Sequence, residues 1–184
     1  MTSPNQTRSN VGLTYGLIGG IAMIIYTLCL YLAGVETFMN FALAFLVYAI
    51  IITIAVLAGV KQKKLNGGYL SFAEALKTVF LTFVLAFLLS TLFNYVLLNY
   101  IDTGFRDEMT RLTLEKMESW MRKFGAPESD IEKALEGAGS ADNYTLGKTL
   151  LGYGMMCIIF CIVSLIIAAI IKKNKPPFDN AFKE

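Results

Sequence analysis

Four long stretches of the 184-residue chain contain no aspartate, glutamate, lysine or arginine, and this feature constrains the fold more than any other. The stretches are residues 11–35, 37–60, 78–101 and 149–171, and they consist mainly of aliphatic residues, phenylalanine and methionine. An α-helix of about 20 residues crosses the roughly 30 Å hydrocarbon core of a bilayer, so each stretch is long enough. None shows the alternation of a membrane β-barrel strand. The pattern therefore predicts an all-α integral membrane four-helix bundle, with the lipid bilayer as its first partner.

The composition excludes several other classes of protein. Hydrophobic residues make up 55% of the chain and charged residues only 16%, which excludes a disordered chain and a coiled coil. The net charge of +2 offers no general attraction to phosphate, so no nucleic-acid partner is expected. The chain has no histidine, the commonest metal ligand and the usual proton carrier near neutral pH. It also has no recognisable catalytic motif. We therefore expect a protein that is not an enzyme and holds no cofactor or metal.

The positions of the lysines predict the orientation of the chain in the membrane. Four crossings put three groups of cations on the same side: Arg8, the group Lys61, Lys63 and Lys64, and the group Lys172, Lys173 and Lys175. Cations that directly flank the spans favour the cytoplasmic side. We therefore expect both termini in the cytoplasm, with residues 1–10 and 172–184 as polar tails.

The remaining residues divide the chain into spans and one insert. Spanning helices are expected at about 11–34, 37–60, 71–101 and 149–171, with a tight turn near Gly34 joining the first two. Ser71 and Glu74 fit a capping box that begins the third helix. Residues 102–148, with ten acidic and seven basic side chains, are expected to form a small extracytoplasmic helical insert between helices 3 and 4.

The sequence of the insert predicts two short helices. Apolar side chains recur at helical spacing over residues 105–124, which predicts one amphipathic helix. Gly125 is expected to end it, Pro127 to be the first residue of a second helix, and Gly137 to close that helix. The apolar side chains form a candidate partner surface, and Trp120 among them could instead anchor in lipid headgroups or fill the contact between the two helices. The residues of this surface are Phe105, Met109, Leu112, Met117, Trp120, Met121 and Phe124.

Small and polar residues within the spans are candidates for helix packing. Gly12, Gly16 and Gly20 follow a G-x-x-x-G-x-x-x-G pattern, which lets another helix backbone approach closely. Packing against the second or fourth span is favoured, and a seam between two copies of the chain is the alternative. Asn94, on the third span, is expected to face the bundle and to bond across helices, because an unpaired carboxamide is unfavourable in hydrocarbon.

Two cysteines in the fourth span raise the question of a metal site. Cys157 and Cys161 are one helical turn apart, beside Met155 and Met156, and such soft ligands suit copper(I). Two thiols do not complete a site, and a free cysteine behaves as a small buried hydrophobic residue. We therefore favour the packing interpretation.

Several short motifs resemble a known family. The residues from Gly68 to Thr78 read GYLSFAEALKT, and Phe93-Asn94-Tyr95 and Asn99-Tyr100-Ile101-Asp102 follow. This series resembles the domain of unknown function 4199 family, small four-helix membrane proteins of bacteria, mainly Bacteroidota. The likeness covers nearly the whole chain. It implies an inner-membrane location and no catalytic residues, since the family carries no established reaction.

Three functions remain open at this point. The favoured one is a non-enzymatic accessory or scaffold protein that presents the helical cap at 105–136 to another envelope protein. The alternative is a small transporter or channel, which would act as a homo-oligomer because four helices rarely enclose a polar path. A membrane-embedded enzyme has the least support.

Overall fold

The computed structural model describes the backbone of residues 4–175 and the side chains of residues 11–140 and 143–175. Its helices are α1 (Pro4–Leu32), α2 (Val35–Phe38), α3 (Phe41–Leu65), α4 (Phe72–Val96), α5 (Thr103–Lys123), α6 (Glu128–Gly139) and α7 (Leu146–Ile171). A π-helical turn, Leu97–Ile101, continues α4, and a 3₁₀ turn, Ala141–Tyr144, precedes α7. The described part of the chain contains no β-strand, and the all-helical fold is confirmed.

Four of these helices are long and apolar enough to cross a membrane. They cover Val11–Leu32, Phe41–Leu65, Phe72–Ile101 and Leu146–Ile171, which confirms the predicted number of spans. The first helix begins at Pro4, within the segment expected to be a tail, and the second span begins at Phe41 because the single turn of α2 lies between them. The predicted C-terminal tail lies mostly outside the described residues.

The glycines of α1 pack against the third span. A methyl group built at Gly16 would lie 2.9 Å from Cβ of Leu85, and one at Gly20 would lie 2.9 Å from Cβ of Leu89. Gly12 stands one turn earlier and faces Leu81 in the same way. The partner within the chain is thus α4, and not the second or fourth span named from the sequence. The reason is that leucines at every fourth position of α4 match the spacing of the glycines.

Helix α4 lies at the centre of the bundle and packs against α1, α3 and α7. The ring of Phe83, which is fully buried, stacks on the ring of Phe160 of α7 with centroids 4.8 Å apart and planes 5° apart. The hydroxyl of Tyr153 on α7 donates to the backbone oxygen of Val84, 3.1 Å away. Stacked rings and one cross-helix hydrogen bond therefore join α7 to the central helix.

The lysine-rich end of the bundle is closed by short polar contacts. The predicted capping box of Ser71 and Glu74 is present at the start of α4. Leu70 and Lys173 exchange two backbone hydrogen bonds of 2.8 Å, so the chain leaving α7 pairs with the turn between α3 and α4. The ammonium of Lys63 donates to the backbone oxygen of Ile171 at 2.8 Å and satisfies a carbonyl at the end of α7.

We expect Gly20→Ala to weaken the bundle, because its new methyl group would lie 2.6 Å from Cδ1 and 2.9 Å from Cβ of Leu89. Overpacking of this kind costs about 1–3 kcal/mol. The measurement is the free energy of unfolding of the purified protein in mixed micelles. Gly154→Ala is the matched control, since nothing lies within 4 Å of its methyl group and it gains only the helix propensity of alanine. Equal stability of the two variants would contradict the packing interpretation.

Candidate functional site in the helical insert

The insert, α5 and α6, begins at Asp102, where the chain leaves the π turn. The backbone N–H of Asp102 donates to the oxygen of Leu97 at 2.8 Å and closes that turn. One carboxylate oxygen, Oδ1, accepts from the N–H of Phe105 at 2.8 Å and caps α5. The other, Oδ2, accepts from the hydroxyl of Tyr31 at 2.8 Å. A single carboxylate therefore starts the insert helix and ties it to the end of α1.

Aromatic packing strengthens this attachment. The ring of Phe105 lies 4.8 Å from the ring of Tyr31 and 5.3 Å from that of Phe38, between centroids. Phe38 belongs to α2, the short turn between the first two spans. Phe105 is only 9% exposed, so it fills the base of the insert and is not available to a partner, contrary to its place in the predicted surface. The sequence interpretation missed this because Tyr31 is far from Phe105 along the chain.

A second tie holds the other end of the insert. The hydroxyls of Thr110 on α5 and Tyr144, just before α7, lie 2.8 Å apart. The guanidinium carbon of Arg106 lies 5.5 Å from the centre of the Tyr144 ring, within cation–π range. The segment that leads from the insert into α7 is therefore fastened to the first turns of α5, which are themselves held by the end of α1. The sequence interpretation did not connect Tyr144 with α5.

The two insert helices pack against each other. Ile131 of α6 is 2% exposed, and the guanidinium of Arg122 on α5 bonds both carboxylate oxygens of Glu128 at 2.6 and 2.9 Å. Gly125 ends α5 with a positive φ of 72°, as its position predicts. Pro127 occupies the N-cap position just before α6. It is not the first helical residue, because its ψ of 144° is extended.

The far end of α5 exposes an aromatic pair. Trp120 is 65% exposed and Phe124 is 76% exposed, and their ring centroids lie 5.5 Å apart. Trp120 therefore does not fill the contact between α5 and α6. The rest of the predicted surface is half-buried along α5: Met109, Leu112, Met117 and Met121. The predicted stripe thus has a buried end at the bundle and an exposed end at its tip.

Asn94 lies within the third span and does not bond across helices. Its side-chain nitrogen donates to the backbone oxygen of Ser90, one turn earlier in α4, at 2.9 Å. Asn99 bonds the backbone oxygen of Tyr95 in the same way at 3.0 Å. The expected cross-helix bond is absent among the described residues because each carboxamide reaches a carbonyl of its own helix.

Metal-binding geometry is not found in the part of the chain that the structure describes. Nowhere within residues 11–140 and 143–175 do three cysteine, aspartate or glutamate side chains lie close enough to share an ion. Cys157 and Cys161 are both partly buried on α7, and Cys29 is exposed on α1.

Comparison with known proteins identifies the family. The model of the family described as "Protein of unknown function (DUF4199)" matches residues 14–173. The chain belongs to this family. The match to DUF4199 begins within the first spanning helix and extends past the end of the fourth, so the insert lies inside the matched range. No curated protein and no solved structure matches the chain.

We expect Tyr31 and Asp102 to act as one unit in this DUF4199 protein. Tyr31→Phe and Asp102→Ala should each speed the exchange of backbone hydrogens in α5. The double variant should be no worse than Asp102→Ala alone, because the shared hydrogen bond is already lost. Hydrogen–deuterium exchange read by mass spectrometry is the measurement, and Tyr69→Phe at the other end of the bundle is the control. Additive effects would show that the two residues act separately.

The attachment of the insert should also depend on pH in a defined direction. The N–H of Phe105 and then the hydroxyl of Tyr31 hold the pKa of the Asp102 carboxyl below its ordinary value of 3.8. A carboxyl with a lowered pKa stabilises the folded state fully above that ordinary value, and this contribution disappears as the pH falls through the lowered pKa.

We therefore expect wild type to melt at a higher temperature than Asp102→Asn at pH 6, with a smaller difference at pH 3. Thermal unfolding in detergent at the two pH values measures this. A difference that grows on acidification would contradict it.

Proposed function

We propose that the protein is a non-enzymatic accessory or scaffold protein of the bacterial inner membrane, and that its insert docks another envelope protein. The observation that carries the proposal is the exposed pair of Trp120 and Phe124 at the tip of an insert whose base is fastened to the end of α1. Aromatic residues are enriched where proteins bind one another, and a fastened insert loses little conformational entropy on binding.

The charge distribution supports an extracytoplasmic insert. The lysines at the end of α3 and those that directly follow α7 lie at the end of the bundle where Leu70 pairs with Lys173. The insert lies at the opposite end, against Tyr31 and Phe38. Under the positive-inside tendency, the lysine end faces the cytoplasm and the insert faces outwards.

The orientation is tested with single cysteines in a chain whose three native cysteines have been replaced. We expect Trp120→Cys to react in intact cells with a maleimide that does not cross the inner membrane, and Lys64→Cys to react only after the cells are opened. The reverse pattern would overturn the proposed orientation.

Docking is tested by photo-cross-linking in living cells. A benzoylphenylalanine at Ser119, next to Trp120, should give one cross-linked protein that mass spectrometry identifies repeatedly. The cross-link should disappear in the Trp120→Ala, Phe124→Ala double variant, because the exposed aromatic contact is gone.

The matched control is a second exposed aromatic pair on α3. Phe41 and Phe45 are 77% and 58% exposed, with ring centroids 4.7 Å apart. Replacing both with alanine should leave the cross-link unchanged. Cross-links only to lipid, or a protein cross-link that survives the loss of Trp120 and Phe124, would contradict a protein partner at this surface.

A further inference from the structure

A cavity of about 200 Å³ lies between α1, α3 and α4, in the half of the bundle nearer the insert. Its apolar lining includes Met23, Leu30, Val47 and Phe87. Phe38 also lines it, and the same ring touches Phe105 at the base of the insert. The cavity is partly open to the surface of the bundle, and its volume exceeds the roughly 150 Å³ of an engineered closed apolar cavity that binds benzene, so it has room for one substituted ring.

Polar side chains converge on this cavity. Thr27 of α1, Tyr48 of α3, and Ser90 and Asn94 of α4 all line it. The sequence interpretation found only Asn94 at this depth, because residues far apart in the chain meet here only in the folded bundle. None of the described lining residues is charged, so the site favours a neutral occupant.

Three of these side chains keep a polar atom without a hydrogen-bond partner among the described residues. Elsewhere in the spans, Thr53, Thr78 and Ser164 donate their hydroxyls to the carbonyl one turn earlier. The hydroxyl of Thr27 does not, although the residue is only 8% exposed.

The hydroxyl of Tyr48 and the carboxamide oxygen of Asn94 likewise have no hydrogen-bond partner among the described residues. None of these three atoms is fully buried, so a molecule in the cavity can reach them. An unpaired polar group in hydrocarbon is unfavourable, so a molecule that pairs with these atoms gains the hydrogen bonds that the protein leaves open.

We propose that this cavity binds a neutral, membrane-soluble molecule with a phenolic ring. The phenol hydroxyl donates to the oxygen of Asn94 and accepts from the hydroxyl of Thr27. The ring packs against Phe87 and the sulfur of Met23, a favourable contact for an aromatic group. A phenol fits better than an alkyl alcohol because four aromatic residues line the site: Tyr26, Phe38, Tyr48 and Phe87. This inference is independent of the proposed docking function.

The test uses the full-length protein in nanodiscs and a phenol that carries a photoreactive diazirine. Light should attach the probe to peptides that contain Thr27, Tyr48 or Asn94, and an excess of 4-propylphenol should prevent the attachment. Propylbenzene, which has the same body without the hydroxyl, loses both proposed hydrogen bonds. It should compete at least about five-fold less well, the effect of losing a single hydrogen bond of about 1 kcal/mol.

Variants separate the site from general partitioning into lipid. Thr27→Val keeps the shape of the side chain and removes the hydroxyl, and should weaken competition by 4-propylphenol about five-fold. Ala44→Phe should fill the cavity and abolish labelling. Thr53→Val is the matched control, because its hydroxyl already bonds Ala49 and it does not line the cavity, so labelling should be unchanged.

Each of the other outcomes overturns the proposal. Labelling that does not saturate, or that maps outside the cavity, would mean that lipid or water alone occupies it. Equal competition by propylbenzene and 4-propylphenol would show that the open polar groups recognise nothing. Melting temperatures of the variants, measured without ligand, confirm that each one is folded before it is compared.

Discussion

The close approach of α1 and α4 is the contact on which the rest of the structure depends. Lipid chains are as apolar as leucine, so helices in a bilayer associate by packing and by hydrogen bonds between them, without a hydrophobic driving force. The glycines of α1 allow this approach because they leave room for the leucines of α4. Thr82 on α4 is fully buried, and its hydroxyl donates to the backbone oxygen of Thr78 at 2.9 Å. The same hydroxyl lies 3.4 Å from the backbone oxygen of Gly12 on α1.

Helix α4 carries this packing to both other parts of the protein. On one side of α4, the ring of Phe83 stacks on the ring of Phe160 and so positions α7. At its end the π turn leads into Asp102, whose carboxylate binds the end of α1 and starts α5. The position of the insert therefore follows from the position of α1 relative to α4. A change that separates these two helices should disturb the insert as well as the bundle.

The two proposed surfaces use different physical properties of the chain. The tip of α5 offers exposed aromatic rings on a fastened helix, which suits a protein partner. The cavity offers unpaired neutral polar groups among aromatic side chains, which suits a small amphiphilic molecule. Phe38 lies between them, since it lines the cavity and contacts Phe105. Neither surface requires a charged group inside the membrane.

The sequence by itself determined the number of spans, the start of α4 and the end of α5. These features depend on local physics: the length of an uncharged run, the capping box of Ser71, and the left-handed backbone at Gly125. A four-residue glycine pattern likewise showed that α1 has a face for close packing, but not which helix would occupy it.

Only the tertiary structure decided which residues meet. In the folded protein Tyr31 bonds Asp102, and Phe105 is buried while Trp120 is exposed. Asn94 bonds its own helix and lines the cavity. Residues 71 positions apart, such as Tyr31 and Asp102, have no local pattern that links them. Periodicity reports only which side chains share a face of one helix. The neighbour of that face is set by how all the helices pack at once.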